Sequence, residues 1–446
     1  MSTNTFVGID WGTHSSKICI TSNQEYVGAP LFSSNIVSSD GKITFGKENH
    51  ENQDEIVRGL KGDLITHSLA SPFWSKEDRG DTGTSIGEAV TFSIACLISE
   101  AKREMATKLR GSSFEISELG FSFPNWLAED SRKAAAAAKH FCEATRVAMA
   151  VVSTAAVKEM PYPRKAYSID NWKRVIAVAR AAAEESKQPK ITLESANKIA
   201  FSLPSGGPQW RFIVESGAAG IPYLRIMQIP NRPGVAGLGK LLIVDVGAGS
   251  TDVGYMLRTS STDAAKPTFY HLRPAPAFPV AGNHLTHDLL KHYRAQNRIM
   301  GYPEAEAQKT SGTSWSALPF VTAWIKQICD HVENYVIGIP DERWLPDSRP
   351  LNVVVTGGSG LVPTLKEKLV TAVKSGLRAR KFHARTCDAV VGADRYEPRF
   401  DFRSEAEVAR RAVCFGAADP DKPGFRYIDK FDPYKPSSVR AASSWV

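Results

Sequence analysis

The chain is 446 residues long, which suggests two or three lobes, each large enough to bury its own hydrophobic core. Hydrophobic residues make up 42% of the sequence and charged residues 23%, a balance that excludes a mainly disordered chain. The net charge of +8 is modest for this length and is not gathered into one basic stripe, so the composition does not favour nucleic acid as a partner but leaves weak electrostatic attraction to it open.

The sequence also indicates a compartment. No apolar run approaches about 18 residues, so we expect neither a membrane-spanning helix nor a membrane partner. The stretch from Met1 to Asp10 lacks the basic start and long apolar core of a secretory signal. The six cysteines are scattered and include no C-x-x-C pair, which is typical of free thiols in a reducing environment. A cytoplasmic location is therefore expected.

The first half of the chain predicts strands and helices in alternation. Two strands at the N-terminus are joined by a turn, with apolar residues at period two. A strand over 115–123 lies between predicted helices. The stretch 150–210 is predicted as a helical insertion, because prolines interrupt it and two amphipathic segments follow. The predicted helices cover 87–109, 130–144, 171–185 and 192–201.

The second half repeats this alternation after a Gly- and Pro-rich stretch over 231–239, which we predict to separate two lobes. Buried strands are predicted over 241–246 and 351–356. Helices are predicted to begin near 283 and to cover 323–337 and 405–418. The predicted organisation is lobe I over 1–235, lobe II over 240–400, a helix over 401–418 that returns to lobe I, and an extended tail over 419–446 with no substrate-binding domain.

Three short buried strands each end in a turn of small residues. Small residues let backbone amides approach phosphate oxygens closely. Asp10 and Asp245 stand at strand ends and Asp252 follows in the second turn; carboxylates that face phosphates need a cation, and Mg²⁺ suits them. One such turn is often only a tight turn, but three are hard to explain by packing. The segments are G-I-D-W-G-T-H-S-S (8–16), V-D-V-G-A-G-S-T-D-V (244–253) and V-V-V-T-G-G-S-G-L-V-P (353–363).

These turns resemble those of the actin-like ATPase superfamily, which includes actin, sugar kinases and heat-shock protein 70. The heat-shock protein 70 branch is the most similar, with G-I-D-L-G-T, D-L-G-G-G-T-F-D-V and V-G-G-S-T-R-I-P at the corresponding places. The resemblance implies an α/β fold of the two-lobed actin-like (ribonuclease H-like) kind, with nucleotide in the interlobe cleft. Further similar patches, in family order, are F-P-N-W-L-A-E-D-S-R (123–132), V-E-S-G-A-A-G (214–220), A-G-N-H-L-T (281–286) and A-V-C-F-G-A-A (412–418).

The resemblance also implies roles for single residues. Asp10 and Asp252 would hold Mg²⁺ through water, and Glu215 matches the catalytic glutamate that helps to orient the attacking water. Lys61, in V-R-G-L-K-G-D-L, is similar to the catalytic lysine of the family, with an ordinary solvent lysine as the alternative. The residues implied for nucleotide binding are Gly12, Thr13, His14, Gly247, Ala248, Gly249, Ser250, Gly282, Gly357, Gly358 and Ser359.

Some features depart from the family pattern. His14 replaces a hydroxyl residue of the first turn; a histidine still donates to phosphate, but its protonation would make binding sensitive to pH. Glu306 and Lys309 resemble the adenine-clamping E-x-x-K, with surface charges at helical spacing as the alternative. No Leu-rich linker or β-sandwich follows Ala418, so the peptide-capture cycle of the chaperones does not follow from the resemblance.

The resemblance predicts a heat-shock protein 70-like ATPase that binds ATP or ADP with Mg²⁺ and hydrolyses ATP slowly. It would act as a chaperone-like, nucleotide-driven switch read by a protein partner that the sequence does not identify. Three alternatives stay open. The first is a filament-forming actin-like ATPase, of the plasmid-segregation or cytoskeletal kind, which would self-associate. The others are a small-molecule kinase of the same superfamily and a nucleotide-binding pseudoenzyme that serves as a scaffold.

Overall fold

The computed structural model describes most of the chain, in segments. The predicted lobe boundary at 231–239, the second insertion helix at 192–201 and the tail beyond 427 lie outside the described residues. The described residues are 4–22, 25–28, 30–39, 41–46, 60–73, 83–108, 115–124, 131–154, 159–184, 208–227, 240–259, 269–274, 277–311, 315–339, 351–379, 386–387, 405–419 and 424–427.

The described residues of the first half form a six-stranded sheet, here called sheet 1, with the order β3-β2-β1-β7-β9 and with β4 also paired to β2. The β1–β2 hairpin is antiparallel, whereas β7 pairs parallel to β1 and β9 parallel to β7. The strands are β1 Thr5–Asp10, β2 Ser15–Ser22, β3 Glu25–Gly28, β4 Leu31–Ser33, β7 Ile116–Phe123 and β9 Gln209–Val214. A small sheet joins β5 Ile36–Ser39, β6 Lys42–Phe45 and β8 Tyr167–Ser168.

The helices of this half share one hydrophobic core with sheet 1 and the small sheet. They are α1 Leu60–Thr66, α2 Ile86–Lys108, α3 Ser131–Ser153 and α4 Ile169–Glu184. Helix α2 is buried on almost every side in its first four turns, because it lies between the sheet and α3. Helix α4 belongs to the predicted insertion, but it packs against α3 and buries Trp172 and Ile176 in the same core.

In the second half, the residues that the structure describes form sheet 2, also six-stranded, in the order β14-β13-β10-β11-β12-β15. It repeats the design of sheet 1: β10, β11 and β12 are antiparallel neighbours, and β13 pairs parallel to β10. The strands are β10 Lys240–Val246, β11 Thr251–Thr259, β12 Phe269–Pro274, β13 Leu351–Thr356, β14 Thr386–Cys387 and β15 Gly424–Tyr427. The helices include α6 Gly282–Ala295, α7 Tyr302–Ser311, α8 Pro319–Ile337 and α9 Leu365–Ala379.

Two helices connect the sheets. Helix α5 (Glu215–Met227) follows β9 and packs against β10 and β11, and helix α10 (Glu405–Ala417) packs against β1, β2 and β7 and also against β13. The two helices lie against each other so closely that the Ala218 carbonyl occupies the place of a side chain at Gly416. This glycine is required, because any larger residue would push the helices apart. The protein is therefore a mixed α/β structure in which two similar sheets share a pair of helices.

The sequence predicted an extended C-terminal tail and no membrane-spanning helix. The predicted tail contributes a strand, because β15 pairs parallel to β12 and extends sheet 2 at its edge. Within the described residues, no helix is long and apolar enough to cross a membrane.

Candidate functional site

The small-residue turns lie at corresponding ends of the two sheets. Asp10 ends β1, directly before the turn to β2, and Asp245 is the penultimate residue of β10, before the turn to β11. The strand register places Asp245 opposite Asp252 on one side and opposite Thr356 on the other. Three of the sequence motifs therefore supply groups to one region, because each motif occupies the same end of its strand.

The turns of the two sheets contact each other. A Cβ atom added to Gly249 would lie 2.5 Å from Thr13 Oγ1, so the β10–β11 turn touches the β1–β2 turn. The ring centroid of His14 lies 5.1 Å from that of Tyr302, which stands at the start of α7. The predicted phosphate turns thus face each other across the junction of the sheets.

Several amides of these turns are available to a ligand. Within the described residues, the backbone N–H groups of Thr13, His14, Ala248, Gly249 and Ser250 donate to no protein acceptor. Successive free amides in a turn form an anion-binding concavity.

Three of the glycines predicted to bind nucleotide instead have a backbone group that is already hydrogen-bonded within the protein. The amide of Gly247 donates to the Ser250 carbonyl at 2.9 Å, and the amide of Gly282 donates to the Gly247 carbonyl at 3.0 Å. The Gly12 carbonyl accepts a 2.6 Å hydrogen bond from Ser34 Oγ. These glycines shape the turns, and their engaged groups are not free to bind a ligand.

A lysine that the sequence analysis did not select holds Asp10. Lys17 Nζ lies 2.6 Å from Asp10 Oδ2, and Ser122 Oγ donates to Asp10 Oδ1 at 3.2 Å. Burial alone would lower the pKa of Lys17, but Asp10 more than offsets this and raises it. Lys17 lies directly opposite Asp10 in the β1–β2 hairpin, and the signal in the sequence was a lysine that follows the aspartate closely across a short turn.

Glu215 and Lys61 form a second buried ion pair. Glu215 is the first residue of α5, and its Oε1 accepts a 2.7 Å hydrogen bond from Lys61 Nζ on α1. The two side chains are only 7% and 13% exposed, so Lys61 is not an ordinary solvent lysine. Burial alone would lower the pKa of Lys61, but Glu215, Asp252 and Asp10 raise it. Burial raises the pKa of Glu215 while Lys61 opposes the shift.

The second turn concentrates negative charge. Ser250 Oγ donates to Asp252 Oδ2 at 2.8 Å, whereas Asp252 Oδ1 is buried and has no hydrogen-bond partner among the residues that the structure describes. Burial, with the charge of Glu215 added, raises the pKa of Asp252 well above its ordinary value and raises the pKa of Asp245 to about 7. The carboxylates outnumber the lysines here, so this corner would be stabilised by an added cation.

The carboxylates fit a hard cation such as Mg²⁺. The Oδ1 atom of Asp252, which no described residue contacts by a hydrogen bond, is an oxygen ligand in a buried, negatively charged setting. Within the described part of the chain, however, no three His, Cys, Asp or Glu side chains converge to ligate a metal directly. Mg²⁺ keeps several waters and binds through one or two carboxylates together with substrate phosphates. The donor set therefore suits an ion that water and phosphate help to hold.

The third turn lies next to the second. Gly357 has a φ of 83°, and its Cα lies against Asp245 Oδ1, where a side chain would collide. Ser359 Oγ fills the place of a side chain at Gly282, so the 3₁₀ turn Gly358–Leu361 contacts the start of α6. The structure therefore brings the third motif and the A-G-N-H-L-T motif together beside the second turn.

Glu306 and Lys309 on α7 face inward at this place. Lys309 is 1% exposed, and its Nζ lies 2.7 and 2.9 Å from the two oxygens of Glu306. Glu306 also accepts a hydrogen bond from Thr286 Oγ1. The interpretation as surface charges is wrong for Lys309, because α7 packs against α6 and the third turn and covers this side chain.

The comparisons with known proteins leave the family open. No protein-family model matches the sequence, and no curated protein matches it. Among solved structures, a chain from a PilM-PilN type IV pilus biogenesis complex is similar over 93% of this chain and 97% of its own, at 11% identity and a TM-score of 0.38. Similarity at this level supports no inference about fold or function.

Proposed function

We propose that this protein is an actin-like, two-lobed ATPase that binds Mg²⁺-ATP between sheets 1 and 2. The observation that carries the proposal is the meeting of two small-residue turns, one from each sheet, with free amides in both and buried carboxylates behind them. Phosphate groups bind such amides, and the carboxylates complete the site once a cation is present. Lobe I would cover 1–235, lobe II 240–400, and the segment 401–418 would return to lobe I.

The residues around the turns have distinct tasks in this proposal. The free amides of Thr13, His14, Ala248, Gly249 and Ser250 would bind phosphate oxygens. Asp10 and Asp252 would hold Mg²⁺ through water; when bound, the ion would neutralise charge on the transferring phosphoryl group.

Glu215 would orient the attacking water, and Lys61 would offset developing charge near it. In the structure Lys61 Nζ lies 2.7 Å from Glu215 Oε1, so the two side chains form an ion pair. The lysine fixes the carboxylate at the N-terminus of α5 and opposes the rise in the pKa of Glu215 that burial causes. A carboxylate held in one orientation positions water at a smaller entropic cost than a mobile one.

The output would be a nucleotide-dependent change in the angle between the lobes, as in heat-shock protein 70, read by a protein partner. Helices α5 and α10 contact both sheets and each other, so any change at the cleft acts directly on this pair. The chaperone-like aspect of the proposal rests on the motifs of the sequence.

Binding and turnover test this function. Isothermal titration calorimetry should show ATP binding that depends on Mg²⁺, and phosphate release should be slow but measurable. Asp10→Asn and Asp252→Asn should each abolish phosphate release and weaken the Mg²⁺ dependence. Asp330→Asn is the matched control, because Asp330 is half exposed and, among the described residues, pairs only with Lys326 on the same helix. Binding without turnover would favour a scaffold, and absence of ATP binding would refute the proposal.

A further inference from the structure

The first turn is held by one serine, Ser34, in the short connection between β4 and β5. Ser34 Oγ donates to the Gly12 carbonyl at 2.6 Å, and the Ser34 amide donates to the His14 carbonyl at 2.8 Å. Ser16 Oγ lies 2.8 Å from Ser34 Oγ. Ser34 is 7% exposed, so these bonds have little contact with water. A single residue therefore fixes the carbonyls on both sides of Thr13.

The direction of these hydrogen bonds follows from the number of hydrogens. A serine hydroxyl carries one hydrogen, and Ser34 gives it to the Gly12 carbonyl, so Ser16 donates to Ser34. The result is a chain from the Ser16 hydroxyl through the Ser34 hydroxyl to Gly12. Hydrogen bonds in such a chain polarise and strengthen one another. Loss of the Ser34 hydroxyl would therefore remove a partner from both Ser16 and Gly12.

Ser34 is itself held in place by the strands on either side of it. Ser33 ends β4 and pairs with Ser15 of β2 in the antiparallel register. The Asn35 carbonyl accepts a hydrogen bond at 3.0 Å from the amide of Gly46, which directly follows β6. Backbone pairing on both sides thus sets the position of Ser34 relative to the first turn.

A carbonyl that is held in place also fixes the direction of the next amide. The peptide between Gly12 and Thr13 is trans, so its C=O and N–H point in opposite directions. With the carbonyl held by Ser34, the Thr13 amide points away from Ser34 and donates to no acceptor among the described residues. The His14 amide belongs to the next peptide, which lies between the two held carbonyls. Ser34 therefore constrains both free amides of the first turn.

We infer that Ser34 is a positioning residue that orients the phosphate-binding amides of the first turn before a ligand arrives. The inference rests on the proposed function and adds a residue that lies outside the sequence motifs. Amides that are already oriented bind an anion without the cost of reorganising the turn. Without the Ser34 hydroxyl the Gly12 carbonyl can rotate, and the Thr13 amide rotates with it because the peptide is rigid. Affinity for phosphate should then fall, whatever group the phosphate carries.

Calorimetry with two phosphate ligands tests this inference. We would titrate ATP and inorganic tripolyphosphate, both with Mg²⁺, into the full-length wild type and into Ser34→Ala, Ser34→Thr and Thr145→Val. Ser34→Ala should weaken binding of both ligands by the same factor, about 3- to 10-fold, which corresponds to one hydrogen bond. Ser34→Thr keeps the hydroxyl and should retain most of the affinity. Thr145→Val is the matched control, because Thr145 is fully buried and its hydroxyl donates to the Phe141 carbonyl within α3.

Urea unfolding of the same variants separates positioning from a general loss of stability. Ser34→Ala and Thr145→Val should each lose a similar, small part of the free energy of unfolding, because each removes one buried hydroxyl. Only Ser34→Ala should also lose affinity for the two phosphate ligands.

The outcomes distinguish this inference from the proposed function. Unchanged affinity for both ligands in Ser34→Ala would show that the turn keeps its geometry without the hydroxyl, and would overturn the inference alone. A loss for ATP but not for tripolyphosphate would place the effect away from the phosphates and would also overturn it. An equal loss of affinity in Thr145→Val would do the same, because the effect would then be one of general stability. Wild-type protein that binds neither ligand would refute the proposed function, and the inference with it.

Discussion

The buried pair of Lys61 and Glu215 makes a quantitative prediction about stability. In Lys61→Met a similar apolar stem remains, but Glu215 loses the partner at 2.7 Å while it stays 7% exposed. Breaking a buried ion pair by removing one partner costs about 3–5 kcal/mol. Glu215 avoids part of this cost by taking up a proton, because its pKa, already raised by burial, rises further without Lys61. We therefore expect a loss of about 3 kcal/mol at pH 7.

The sign of the pH dependence follows from linkage. A carboxyl group whose pKa is raised in the folded state binds more protons there than in the unfolded chain, so stability falls as pH rises. The loss in Lys61→Met should therefore be smaller at pH 5 than at pH 7, because the protonated Glu215 needs no partner.

Urea unfolding of four proteins measures both effects: the wild type, Lys61→Met, Glu215→Gln and the double variant. The double variant should lose less free energy of unfolding than the sum of the two single variants. Lys326→Met, which breaks an exposed pair with Asp330, is the control and should change little. Additive losses that do not vary with pH would refute the reasoning, because they would mean that the two side chains do not interact.

Three further predictions concern catalysis, the pH dependence of stability, and the contact between His14 and Tyr302. Glu215→Gln should lower the turnover of ATP about 100-fold with little change in ATP affinity, measured by phosphate release and calorimetry; equal losses in both would indicate a structural role. His331 stacks on Phe278 at 4.2 Å, and burial lowers its pKa from 6.5 to about 4. Its folded form therefore binds fewer protons, and stability should fall by up to about 3 kcal/mol between pH 6.5 and pH 4. The slope of urea-derived stability against pH should flatten in His331→Phe, and an unchanged slope would contradict the assignment. Tyr302→Ala removes the ring that contacts His14 and should speed the release of a fluorescent nucleotide in stopped-flow experiments, whereas Tyr302→Phe should not; equal rates in both variants would exclude a role for the aromatic contact.

Local patterns in the sequence predicted the elements well. The helix expected over 87–109 is observed at Ile86–Lys108, and the strand expected over 115–123 at Ile116–Phe123. Both depend on the periodicity of apolar residues, which is local information. The amphipathic pattern of α4 predicted a helix but not its surroundings, because a pattern shows that an apolar face exists and not what covers it. Only the packed structure shows that Trp172 lies in the core of the first half.

The sequence by itself determined where to expect the functional site, because apolar strands that end in turns of small residues can be identified from the sequence alone. The turns at Asp10 and at Asp245 were identified in this way. The tertiary structure alone decided which charges meet. Lys61 and Glu215 are separated by 154 positions and pair because α1 and α5 converge. The Ala409 carbonyl accepts a hydrogen bond from the Gly357 amide of the third turn because α10 packs against strands of both sheets. Such pairings depend on the order of strands and on helix packing, and no short stretch of sequence encodes either.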